Sequence, residues 1–203
     1  MDFKELWTAG GPIMYVLLLC SLAVMTLLVE RFLVYREASA HIESFVQNLP
    51  SALAASKTED WKEVPGRHRN GAALLVKAGI SGLLEGGDAS LSMDNAYGDI
   101  ARSLRAHLGY LSMIVTLSPL VGLLGTISGM IRSFNVFSME AGEPMAITGG
   151  IGEALVATAA GLCVAIFALV VHTFFSQKMD SILTDMEKAE SLVLEECRKR
   201  GLS

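Results

Sequence analysis

The chain carries three long stretches with no Asp, Glu, Lys or Arg: Leu6–Val29, Ala106–Ile131 and Ala154–Gln177, of 24, 26 and 24 residues. About 20 residues cross a hydrocarbon core of roughly 30 Å as a helix. A large soluble protein could bury one such stretch, but a chain of 203 residues has too little else to bury three. They read as membrane-spanning helices at 10–30, 109–132 and 148–175. The first is too long for a signal-peptide core of roughly 7–15 residues, and it has no basic leader. It ends on Glu30-Arg31 rather than a small-residue cleavage site, and is expected to be retained.

Between the spans the pattern is amphipathic. Ala38–Ser56 and Gly71–Glu85 read as helices separated by the polar segment Lys57–Asn70. Met93, Tyr97, Ile100, Leu104, Leu108 and Leu111 recur every three or four residues and lead into the second apolar stretch. That spacing predicts one long helix from about Ser90 to Arg132, some 65 Å in length. After the third stretch, Met179, Ile182, Leu183, Met186, Leu192 and Val193 continue a helical stripe. The fold class is all-α, an integral membrane protein with spans 2 and 3 extended into a cytoplasmic helical bundle. Phe3, Leu6 and Trp7 share a face beside Asp2 and Glu5, which suits an interfacial helix at 1–9 on the outer side.

Basic residues set the orientation. Arg31 and Arg36 follow the first span, Arg102 and Arg105 precede the second, and the tail carries Lys178, Lys188, Arg198, Lys199 and Arg200. No Lys or Arg lies between Ser133 and Thr148. The loop 31–108 and the tail 176–203 are therefore expected in the cytoplasm, with the N-terminus and the loop 133–147 outside. The net charge of -5 gives no basic stripe for nucleic acid. Arg67-His68-Arg69 reads as solvated loop. Cys20, Cys163 and Cys197 are far apart and suggest no disulfide framework. No metal-ligand spacing, phosphate loop or nucleophile–base pair is visible. No cofactor or metal is expected, and an enzyme has no support.

Lipid gives helices no hydrophobic reason to associate, so their contacts rely on small residues and polar groups. Ser112, Pro119, Thr126 and Ser133 recur at intervals of seven, with Thr116, Gly122 and Gly129 between them. In the third span Ala154, Gly161 and Ala168 form one series, and Thr158, Ala165 and His172 another. Such stripes suit helix packing, or a polar passage that hydroxyls hydrate without the cost of burying a charge. Both uses are open. Leu17, Leu18, Leu19, Leu22, Leu27 and Leu28 suit the lipid side. Pro119 is expected to kink its helix and free a carbonyl. Glu153 stands near the outer end of the third span, at the interface or on the passage.

Ser118-Pro119-Leu120-Val121-Gly122-Leu123-Leu124-Gly125-Thr126, then Gly129-Met130-Ile131, resembles the second-span signature of the ExbB/TolQ/MotA family of proton-driven motor subunits. Gly150-Ile151-Gly152-Glu153-Ala154-Leu155-Val156-Ala157-Thr158, continuing to Gly161-Leu162, resembles the third. Gly11-Pro12-Ile13-Met14 and Glu30-Arg31 also fit, while Ser118 stands where Ala is common and Phe167 where Pro is expected. The resemblance implies a homo-pentamer in the inner membrane of a Gram-negative cell. It would surround the membrane helices of an ExbD- or TolR-like partner carrying an intramembrane Asp, and deliver force through a TonB- or TolA-like protein. It further implies that Thr126 and Thr158 line the proton pathway, with Glu153 on it, and that Pro119, Gly122, Gly125, Gly129 and Gly161 serve kink and packing. An ExbB-like role leads, with a TolQ-like role or a non-conducting three-helix scaffold as alternatives. MotA-like stators usually carry a larger cytoplasmic region.

Overall fold

The structure, a computed structural model, describes residues 11–66, 68–139 and 144–202; the side chains of 136–139, 144–148 and 153 lie outside the description. The expected interfacial helix at 1–9 falls outside the described residues. Six α-helices are described: α1 (Ile13–Ala38), α2 (Ile42–Ala55), α3 (Gly71–Leu84), α4 (Ala89–Arg105), α5 (Leu108–Met139) and α6 (Pro144–Lys199), with a 3-10 turn at Thr58–Glu63. Three helical stretches are long and apolar enough to cross a membrane. Pro144 opens α6, where a missing N–H costs nothing. The 56 residues of α6 measure about 84 Å. Because α5 reaches Met139 and α6 starts at Pro144, most of the segment expected as a loop at 133–147 is helical.

The chain divides into two compact units, residues 11–29 with 107–174 and residues 30–106 with 175–202. In the first, large apolar side chains point outward all round: Leu19, Leu22, Leu120, Leu124, Ile131, Leu155, Ile166 and Val170 are all exposed. Helices apolar on every side are at home in lipid or against other copies. Leu18, Leu19 and Leu22 are exposed as expected for the lipid side, whereas Leu17 is 2% exposed. Leu17 lies one turn beyond Ile13, whose side chain comes within 3.6 Å of where a Cβ on Gly125 would stand. The lipid-facing assignment fails for Leu17 because α1 turns that side inward.

The second unit is a helical bundle closed by caps. Asn70 accepts from the Ala73 N–H at 2.8 Å to start α3, and Asp88 accepts from the Ser90 N–H at 2.8 Å to start α4. The glycines before residue 88 serve packing: a Cβ on Gly79 would strike the Met93 side chain, and one on Gly82 would strike Ser92. Met93, Leu104, Ile182, Met186 and Val193 are buried, so the two amphipathic stripes do form buried faces. Tyr97 donates to a Glu187 carboxylate oxygen at 2.9 Å. Burial, then Asp94 and Glu187, raise the carboxyl pKa of nearby Glu190 above its ordinary value.

The single helix expected from Ser90 to Arg132 is two. Ala106 is extended (φ -53, ψ 140) and His107 adopts a left-handed φ of 66. The interruption has a distant cause. Arg31 is 4% exposed, and its Nη1 donates to the carbonyls of Ser103 (3.1 Å), Leu104 (3.5 Å) and Ala106 (3.0 Å). Its Nη2 donates to Glu30 at 2.8 Å, and the Tyr35 hydroxyl donates to the Leu104 carbonyl at 2.8 Å. These are the carbonyls a helix end leaves without N–H partners, and a cation suits that end. Arg200 repeats the device on α2, donating to the carbonyls of Leu53 (2.7 Å) and Ser56 (2.9 Å) while lying 4.9 Å above the Trp61 ring. Arg31→Gln should therefore lower stability by about 2–3 kcal/mol and quicken proteolytic cleavage near Ala106–His107. Thermal melting and limited digestion in detergent would check both; an unchanged digest would show that the break holds without the cap.

Candidate functional site

The sequence-predicted glycines and Thr158 lie where α5 and α6 meet within the first unit. Helices approach this closely only where side chains are nearly absent. A Cβ on Gly161 would come within 2.6 Å of the Ser118 carbonyl, and one on Gly122 within 3.0 Å of the Ala157 carbonyl and the Thr158 Cα. Cβ atoms on Gly125 and Gly129 would meet the Ala157 and Ala154 methyls at 2.6 and 2.8 Å. Gly122, Gly125, Gly129 and Gly161 thus stand in one seam with Ala154, Ala157 and Thr158. The stripes that the spacing left open between packing and a passage are, at these glycines, in tight mutual contact.

The hydroxyls divide between the seam and its edge. Ser118 is fully buried, and its Oγ has no hydrogen-bond partner among the described residues. Ser133 donates to its own helix at the Gly129 carbonyl, 2.9 Å away. Ser112 and Thr116 are exposed, Thr116 donating to the Ser112 carbonyl at 2.9 Å. Thr126 is half-buried and donates to the Leu123 carbonyl at 2.7 Å, the ordinary back-bond of a hydroxyl in a helix. Thr158 differs: its Oγ1 donates across the seam to the Gly122 carbonyl at 2.9 Å.

The α-helical ladder assigns that same carbonyl to the N–H of Thr126, four residues on. The Gly122 carbonyl thus faces both the Thr126 N–H of its own ladder and the Thr158 hydroxyl across the seam. Pro119, half-buried within α5, can give no N–H to the Val115 carbonyl. Glu153 lies on α6, but its side chain is outside the described residues. His107 precedes α5 and His172 lies on α6, half-buried. From Leu108 to Ile131 and from Ala154 to Gln177 neither helix holds a carboxylate or a cation. Among the described residues no group of three His, Cys, Asp or Glu is placed to hold a metal. The site offers hydroxyls, close backbone and apolar walls. Sequence reasoning named the threonines but not the Gly122 carbonyl that receives Thr158, since a backbone acceptor leaves no mark in a sequence.

The combination of three apolar helices and a small-residue seam between two of them is that of a polytopic membrane protein. A description of the MotA/TolQ/ExbB proton channel family matches residues 69–188, more than half of the chain. The chain belongs to this family. It is 31% identical over 182 residues to the ExbB-like 3 protein of Synechocystis sp., covering 82% of this chain and 81% of that one. The ExbB-like 1 protein of the same organism is 49% identical over 78 residues, 34% of this chain and 31% of the relative. The biopolymer transport protein ExbB of Salmonella typhimurium is 38% identical over 96 residues, covering 47% of this chain and 39% of that protein. The Tol-Pal system protein TolQ of Pseudomonas aeruginosa is 36% identical over 81 residues, covering 39% and 35%. Apart from ExbB-like 3, the chain thus spans about a third of the length of these relatives. It is a multi-pass membrane protein of the ExbB/TolQ type.

The seam sets its own test. Gly161→Ala forces α5 and α6 apart and should destabilise by about 1–3 kcal/mol. Gly98→Ala, where a Cβ meets nothing within 4 Å, should be neutral or stabilising. Thermal unfolding in detergent reads both, and equal behaviour of the two variants would contradict the close approach.

Proposed function

We propose that the chain is an ExbB-like subunit of an inner-membrane motor driven by the proton-motive force. In this reading several copies, five by family resemblance, surround the single membrane helices of an ExbD-like partner, and force passes through a TonB-like protein to the outer membrane. The N-terminus faces the periplasm; the loop 31–108 and the tail face the cytoplasm, as the basic residues favour. The second unit is then the cytoplasmic part. The chain acts as a transport component without catalytic chemistry of its own.

The observation that carries the reading is the Thr158 hydroxyl bonded across the seam to the Gly122 carbonyl, in helices that lack any mid-membrane carboxylate. A proton needs a titratable relay or continuous water to cross a dry layer. Glu153 and His172 are 19 residues apart, or about 28 Å along a helix. That is too far for direct transfer, so the carboxyl in this account comes from the partner, as an Asp beside the two threonines. The driving force is about 2.3 kcal/mol per charge per 100 mV. The exposed apolar surface suits assembly: only 11%, 22% and 33% of the most apolar windows of the three spans are buried within one chain. A TolQ-like role is the second reading, resting on the match to the Pseudomonas protein.

The Thr126→Val, Thr158→Val double variant keeps side-chain shape and should abolish partner-dependent proton flux while leaving assembly intact. The corresponding double Ser variant should retain most of it. Flux assayed in proteoliposomes decides; full activity of the double Val variant would leave only a packing role.

A further inference from the structure

A hydroxyl has one proton to give and two lone pairs to receive with. The Thr158 hydroxyl has spent its proton on the Gly122 carbonyl at 2.9 Å, and the Thr126 hydroxyl on the Leu123 carbonyl at 2.7 Å. The Thr158 bond crosses the seam where the two backbones are closest, and the Thr126 bond closes within its own turn. What each oxygen has left for a visitor is lone pairs alone. We propose that Thr126 and Thr158 act only as hydrogen-bond acceptors, so that the group they receive is a protonated carboxylic acid and not a carboxylate. The inference rests on the reading in which a partner's carboxyl lies beside these residues, and it specifies the protonation state in which that carboxyl is held.

The surroundings support the assignment. A carboxylate in an apolar layer needs donors or a cation to replace its water. On α5 between Leu108 and Ile131, and on α6 between Ala154 and Phe174, there is no Lys or Arg to supply them. Within the first unit the titratable side chains on these helices are Tyr15 and Cys20 on α1, Tyr110 on α5, and Cys163 and His172 on α6. His107 lies just before α5, while Arg132 and Glu153 stand toward the other end of the span. The protonated acid, by contrast, can donate its O–H to either threonine without disturbing anything. For the acid to ionise in place, a threonine would have to turn its proton away from its carbonyl, and Thr158 would then lose its bond across the seam. The pair therefore holds the loaded carboxyl, and release of the proton belongs to a position away from the pair.

The sign of a titration shift tests this. Losing an acceptor from the neutral acid favours ionisation; losing a donor to the carboxylate opposes it. The full chain would be reconstituted with an ExbD-like single-span partner whose one intramembrane carboxyl is an Asp. A hydrophobic carbodiimide, which adds only to the protonated acid, would label that Asp across a pH series, with mass spectrometry locating the label. Thr158→Val should move the labelling midpoint down by roughly half to one pH unit. Thr126→Val, which leaves the seam bond in place, should move it the same way, and Thr158→Ser should leave it unchanged. An upward shift in the Val variants would mean that the hydroxyls donate to a carboxylate, overturning the proposal. An unmoved midpoint would mean that they do not touch the carboxyl, also overturning it while leaving the flux test of the wider reading standing. A partner that neither co-purifies nor labels at any pH would instead overturn the wider reading, and this inference with it.

Discussion

The hydrogen bond from Thr158 to the Gly122 carbonyl occupies the point where α5 and α6 come so close that a Cβ on Gly122 or Gly161 would collide with backbone. Lipid offers no apolar drive to hold two such helices together, so the contact depends on dispersion between small residues and on polar links such as this one. The choice of residues around it follows. Large side chains are pushed outward, and glycine and alanine fill the seam. The bond that links the two spans is thus also the bond that fixes the proton of the Thr158 hydroxyl, which ties the mechanics of the unit to the chemistry it can perform.

The second unit is organised by a different constraint, the unpaired carbonyls at helix ends. Arg31 and Arg200 each close such an end from far away in sequence, reaching across 75 and 147 residues. Both guanidiniums bring a fixed charge and several donors, which a lysine could not present in one plane. Burial of the Arg31 head at 4% exposure costs less because three carbonyls and Glu30 receive it. Tyr35, stacked on Phe175 with ring centroids 5.2 Å apart, closes the same corner.

Much of this was legible in the sequence, because lipid imposes a blunt rule: the three spans announce themselves by length and lack of charge. The all-α class followed from the stripes that continue through α4 and the end of α6. The glycines and threonines of the seam were legible as a periodicity. The break at Ala106–His107 was not, since both residues sit within an unbroken helical pattern and the cause is an arginine 75 residues earlier. Arg31 itself read as a charge ending a span. Leu17 looked like its lipid-facing neighbours, because a leucine turned inward and one facing lipid are the same letter. Which carbonyl Thr158 would choose depends on helix register, a tertiary property that spacing within one span does not encode.

In the proposed mechanism this chain supplies the hydroxyl half of a two-component proton path and does not complete it alone. Voltage-driven proton uptake into proteoliposomes, followed with a pH-sensitive dye, tests this most directly. The chain alone should show no uptake above empty vesicles. Uptake should appear with a single-span partner bearing an intramembrane Asp, and disappear when that Asp is replaced by Asn. Robust, voltage-dependent uptake by the chain without any partner would contradict the account.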